Sequence, residues 1–227
     1  MVDSILDLIF LTIPITSFFF FARTPIVRFV FGGQQFDWES TVLTAVTLSY
    51  FSLSLPFHSI YYFITRCFYA LFDSKTPFYI SVIAIVINTI LSLLFTLVFH
   101  FPVWALALSF SASIVLNVLV LLFFLYRKLG GYDLKIIFIE TTKISIATIG
   151  ASVPVYFLQK LLDGLVFDTT RTINIFLLLL TSGICYFLLY LLLAWIIDIK
   201  EIHLLQTMTL KVNKYKQKIF ELYSQLQ

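Results

Sequence analysis

The chain has 227 residues, of which 60% are hydrophobic and only 12% charged, with a mean hydropathy of +1.00. These values exclude a soluble globular domain. A net charge of +3 is too small to suggest nucleic acid as a partner, so the Lys and Arg residues matter through where they fall. Asp3 and Asp7 stand where a secretory leader carries basic residues, and no small-residue cleavage site follows, so the start reads as a spanning helix. Cys67 lies near the end of one apolar run and Cys185 inside another, which argues against a disulfide framework.

Apolar runs of about 20 residues recur along the chain, the length needed to cross ~30 Å of hydrocarbon. Six spans are predicted, over 5–31, 40–72, 77–99, 102–126, 136–158 and 172–197. The first contains Pro14, tolerable in a bundle where neighbours or hydroxyls re-satisfy the freed carbonyl. It begins almost at Met1, as a later part of a larger transporter would. A short polar loop from Gly32 to Ser40 carries interfacial aromatics, Phe36 and Trp38. The second span is long enough to tilt or to kink at Pro56. A compact break follows: Asp73 and Ser74 disfavour helix continuation, Thr76 is the expected cap of the next helix, and Pro77 suits a first turn. The third span holds Asn88 and Ser92, and the fourth carries small residues from Ala105 to Ser111 and then Asn117. Glu140 and Lys143, three apart, share one face near the start of the fifth. The sixth is nearly featureless. Residues 1–199 are expected to form the membrane bundle and 200–227 a basic amphipathic tail. In that tail Leu205, Met208, Val212, Tyr215, Ile219, Leu222 and Leu226 alternate steps of three and four around Lys211, Lys214, Lys216 and Lys218.

The loop between the second and third spans reads Arg66-x-Phe68-Tyr69-x-x-x-Asp73-x-Lys75-Thr76-Pro77. It resembles the signature of the MurJ/MviN family, the bacterial lipid II flippases. Pro25, Arg28, Phe31, Phe36 and Asp37 resemble a second family region, with Gln34 where the family has glycine. Asn88 and the run from Ala105 to Asn117 resemble two further helices, with Ala105 and Phe110 replacing a glycine and a threonine. The resemblance implies an all-α integral membrane protein: a six-helix transmembrane bundle like the ninth to fourteenth helices of a MOP-superfamily flippase, followed by an amphipathic helix. Its implied partners are the membrane, lipid II or a similar polyprenyl-pyrophosphate lipid, and an N-terminal lobe in the same or a separate chain. In the family the last two helices form a groove for the lipid tail, a role that 136–158 and 172–197 would suit.

Arg66, Lys75 and Arg28 are the candidate headgroup contacts; the plainer reading makes them topology anchors that snorkel to the surface. Phe68, Tyr69, Asp73, Thr76 and Pro77 are expected to build the turn. Asn88, Ser92, Asn117, Glu140 and Lys143 are the polar candidates at membrane depth. Some family members hold sodium between an asparagine and an acid one turn later, but Ser92 stands in the acid's place here. Interhelical hydrogen bonding is therefore the expected role of Asn88, worth about 0.6–2 kcal/mol. Glu140 and Lys143 are expected to neutralise each other and snorkel. His58, His100 and His203 share no metal-ligand spacing, and no nucleophile with a base is present, so no enzyme chemistry, metal or cofactor is expected. Arg66, Lys75, Arg127, Lys128, Lys135 and the tail lysines fall on one side of the predicted spans. That places the loop and both termini in the cytoplasm of a multi-pass protein of the bacterial inner membrane. The favoured function is the C-terminal part of a lipid II flippase working by alternating access in cell-wall synthesis. Half of another MOP exporter of polyprenyl-linked sugars, or a non-transporting scaffold, is the alternative.

Overall fold

Every long apolar run becomes a helix, because in hydrocarbon each backbone N–H and C=O must be bonded within its own segment. A computed structural model describes residues 1–32, 37–165 and 172–202. The helices are α1 (Val2–Phe21), α2 (Arg23–Phe31), α3 (Trp38–Ala70), α4 (Lys75–Leu93, continued by a π-helical turn Leu94–Val98), α5 (Trp104–Lys128), α6 (Leu134–Leu165) and α7 (Thr172–Ile196). Six of them, α1 and α3 to α7, are long and apolar enough to cross a membrane. The predicted amphipathic tail lies outside the described residues, as does His203.

The expected single helix over 5–31 is two helices. The break falls at Ala22, with φ −89° and ψ 10° and no exposed surface. Pro25 is the cause: it has no N–H to give the carbonyl one turn back, and proline is tolerated in the first turn of a new helix. α3, by contrast, runs unbroken through Pro56.

The helices pack as a row, α4–α5–α3–α1–α6–α7, with α2 bridging α3 and α7 at one end. α5 is the most enclosed member and α4 the least. Small residues set the closest approach. Ser49, Ser52 and Ser54 on α3 and Ala105, Ala107, Ser109, Ser111 and Ser113 on α5 are all buried. Ser111 Oγ donates across to the carbonyl of Tyr50 at 2.6 Å. Between α1 and α7 two tyrosines replace that device. Pro14 leaves the Phe10 carbonyl without its helical donor, and Tyr190 Oη supplies one at 2.9 Å. Tyr186 Oη donates to the Pro14 carbonyl at 3.1 Å. Phe18 and Phe21 pack on the Tyr186 ring, with centroids 5.9 and 5.2 Å away. Of the neighbours or hydroxyls expected to re-satisfy the Pro14 kink, the structure supplies the Tyr190 hydroxyl.

Candidate functional site

The end of the row that carries Met1 also carries the ends of α3 and α5 and the starts of α4 and α6. There α3 closes on a left-handed residue, Phe72, with φ 53°. The Asp73 N–H reaches the Phe68 carbonyl at 3.0 Å and the Phe72 N–H reaches that of Tyr69 at 3.0 Å, a Schellman stop. This turn aims Asp73 at the start of α4. Its Oδ1 accepts the Thr76 N–H at 3.0 Å and its Oδ2 the Thr76 hydroxyl at 2.8 Å. Asp73, not Thr76, therefore caps α4, because a carboxylate accepts two bonds where a hydroxyl accepts more weakly.

Lys128, from the end of α5, completes the cluster: its Nζ donates to Asp73 Oδ2 at 2.5 Å and lies 5.9 Å from the centre of the Phe68 ring. The Lys128 bond, with the two from Thr76, holds the Asp73 carboxyl well below the usual carboxylate range. Phe68 is buried and forms the floor, and Pro77, in the first turn of α4, is also buried. Tyr69, Arg66 and Lys75 are exposed on the adjoining ends of α3 and α4.

Phe68, Asp73, Thr76, Phe124, Arg127 and Lys128 line a recess of about 300 Å³. Thr76 and Phe124 also line a second cavity of about 340 Å³ that continues between α4 and α5. Apolar side chains make most of that cavity's wall; of its polar residues, Asn117 has its Oδ1 buried with no partner among the described residues. The arrangement is amphipathic: a mouth with cations at its rim, over a dry slot flanked by two helices.

The other predicted residues do not join it. Arg28 lies on α2, at the opposite end of the row. Among the described residues, Asn88 does not make the expected interhelical bond. Its Oδ1 accepts from Ser92 on its own helix at 3.4 Å, and Ser92 Oγ makes the bond across to α5, 2.7 Å from Ser109 Oγ. The shorter serine reaches because α4 and α5 are close there. Glu140 and Lys143 pair at 3.0 Å as expected, but they do not both snorkel: Glu140 is only 5% exposed. The helix begins two residues earlier than predicted and α1 and α7 cover its face, so the carboxylate is enclosed. Glu201, just beyond α7, is also buried. Burial pushes its carboxyl up, and Glu140 and Asp7 nearby add to the rise.

Sequence reasoning placed Lys128 in a basic loop and missed its partnership with Asp73. The two are 55 positions apart, and the packing of α5 against both α3 and α4 brings them together. It also missed Tyr186 and Tyr190, although a tyrosine pair four apart in an apolar helix, opposite a proline-freed carbonyl, was a readable signal.

Six apolar spans around a charged turn and a dry slot define a multi-pass helical membrane protein. The family profile described as lipid II flippase MurJ matches residues 1–198, and the chain belongs to that family. It is 36% identical over 121 residues to the lipid II flippase MurJ of Thermosipho africanus (strain TCF52B), covering 53% of this chain and 25% of that protein. It is 27% identical over 184 residues to a probable lipid II flippase MurJ of Borreliella burgdorferi (strain ATCC 35210 / DSM 4680 / CIP 102532 / B31), covering 81% of this chain and 35% of that protein. A probable lipid II flippase MurJ of Rhizobium tropici is 31% identical over 128 residues, 55% of this chain and 23% of its own length. The chain thus spans about a quarter to a third of the length of the curated relatives it matches.

Proposed function

We propose that this chain is the C-terminal part of a lipid II flippase, carrying an undecaprenyl-pyrophosphate-linked precursor across the bacterial cytoplasmic membrane by alternating access. The observation that carries this reading is the Asp73–Lys128 turn over the α4–α5 slot, inside the family motif. Lys128 and Thr76 neutralise and bond Asp73, which leaves Arg127 in the recess, with exposed Arg66 and Lys75 on the adjoining helix ends, as the cations for an anionic headgroup. The apolar slot beneath suits hydrocarbon, and its Asn117 oxygen supplies one acceptor at depth. No catalytic step is needed, since translocation makes and breaks no covalent bond. Met1, Asp73 and Lys128 share the cytoplasmic side in this reading.

A row of helices forms one wall of a transport path rather than an enclosed cavity. A pyrophosphate sugar headgroup facing lipid on its open side is strongly disfavoured. The function therefore needs a further lobe, from the same full-length chain or a separate one. The test is expression of residues 1–227 in cells depleted of their own flippase, with and without a co-expressed eight-helix lobe from a relative. Rescue is expected only with the lobe, and Lys75→Glu with Arg66→Glu is expected to abolish it. Growth on this chain alone removes the need for a second lobe.

A further inference from the structure

At the end of the row opposite Asp73, α2, α6 and α7 enclose a recess of about 190 Å³. Its polar wall is Thr24 and Arg28 from α2 and Gln159, Lys160 and Asp163 from α6. Gln159 is only 6% exposed, and its side-chain nitrogen has no acceptor among the described residues. A buried amide donor without a partner destabilises the fold, so its place in this wall calls for a ligand that accepts. Lys160 is exposed at the rim, and among the described residues neither it nor Asp163 makes an ion pair. The recess thus offers an amide N–H, a hydroxyl, a guanidinium and an ammonium against one carboxylate.

Phe21 and Tyr156 close the recess on one side, and both also line a crevice of about 450 Å³ between α1 and α6. That crevice is walled mainly by Phe20, Phe21, Val153, Tyr156 and Phe157, with Phe20 and Phe157 more than half exposed toward the membrane. A donor-rich recess that adjoins a lipid-facing aromatic crevice has the polarity of an amphiphile.

We propose that this recess binds the phosphate of a membrane lipid, with Gln159, Arg28 and Lys160 donating to its oxygens and the chain lying along the crevice. A phosphate fits better than a carboxylate because its several acceptor oxygens can take donors from two helices at once. Asp163 limits the affinity and is the one group in the wall that opposes it. The site is separate from the Asp73 turn by the length of the helices, and its occupancy does not depend on how that turn functions.

The test uses the full 227-residue chain in neutral detergent and native mass spectrometry with two probes. These are dioleoyl phosphatidylglycerol and dioleoylglycerol, which has the same tails and no phosphate. The phosphatidylglycerol is expected to stay bound in a one-to-one complex at least about tenfold better. Lys160→Glu, at an exposed position that leaves the fold intact, is expected to remove that preference. Gln159→Glu is expected to do the same where circular dichroism shows native helicity. Asp163→Asn is expected to strengthen binding, and Lys135→Gln, exposed at the other end, to leave it unchanged. Competition by inorganic phosphate identifies a site that also takes the free anion, and its failure identifies one that needs the tail; either supports the proposal. Equal retention of both lipids, or a Lys160→Glu chain that keeps the preference, overturns it.

Discussion

Phe72 sits in the left-handed region with φ 53° and its side chain fully exposed, a conformation that costs a bulky residue about 1–2 kcal/mol. Asp198 stops α7 in the same way, with φ 57° and the Ile199 N–H on the Ala194 carbonyl at 3.0 Å. Among the described residues, α5 uses the residue built for the position, Gly130 with φ 73°. Because Phe72 touches little, replacing it removes strain without removing packing. Phe72→Gly is expected to stabilise the folded chain by about 0.5–1 kcal/mol, after the greater freedom of glycine in the unfolded chain is subtracted. Thermal unfolding in detergent followed by circular dichroism reads this as a rise in midpoint, and a fall means that Phe72 holds a contact with another part of the assembly.

At the scale of elements, the α1–α7 joint rests on the Pro14 kink and its two tyrosines. Tyr190→Phe keeps the ring against Phe10, 5.4 Å away, and removes only the hydroxyl. The Phe10 carbonyl then has no donor in a dry interface, and a loss of about 1–2 kcal/mol is expected, measurable as a lower unfolding midpoint. A loss no larger than that of a lipid-facing control such as Leu188→Ala means the kink is satisfied in another way.

The segment after α7 adds a pH dependence. Glu201 faces Asp7 from α1, Glu140 from α6, whose own partner is Lys143, and Lys200 and Tyr190 from its own side. Its carboxyl is raised above the ordinary value of 4.5, first by burial and then by Glu140 and Asp7. The folded chain therefore binds the proton more tightly than the unfolded chain. This contribution favours folding below the ordinary value and is lost as pH rises from there through the raised one. Protection from hydrogen exchange at residues 197–202, measured against the intrinsic rate at each pH, is expected to fall over that window, and Glu201→Gln to flatten the protection profile. Wild-type protection that rises with pH reverses the sign and defeats the claim.

For the whole molecule, the row order leaves α4 open on one side and places every turn at one of two ends. The Lys and Arg bias then predicts which end is cytoplasmic. In a chain lacking Cys67 and Cys185, Ser74→Cys is expected to react only with a permeant thiol reagent in intact cells. Gln35→Cys is expected to react with an impermeant one. The opposite pattern inverts the proposed orientation and moves the Asp73 turn to the outer face.

The number of spans, the polar turns between them and the family motif were all set by the sequence itself. Hydrocarbon demands a run of a certain length, and charge is excluded from its centre, so both leave a one-dimensional record. Pro25 carried the break at Ala22 in the same record, unread because hydropathy passes through it without interruption. Which residues meet was decided by the tertiary structure alone. Lys128 reaches Asp73, Ser92 rather than Asn88 bridges to α5, and Gln159 joins Arg28 in one wall, because small side chains let particular helices approach. In a bilayer every helix is apolar all round, so periodicity cannot say which face meets a neighbour. Close packing and paired polar groups decide it, and they exist only once the helices are side by side.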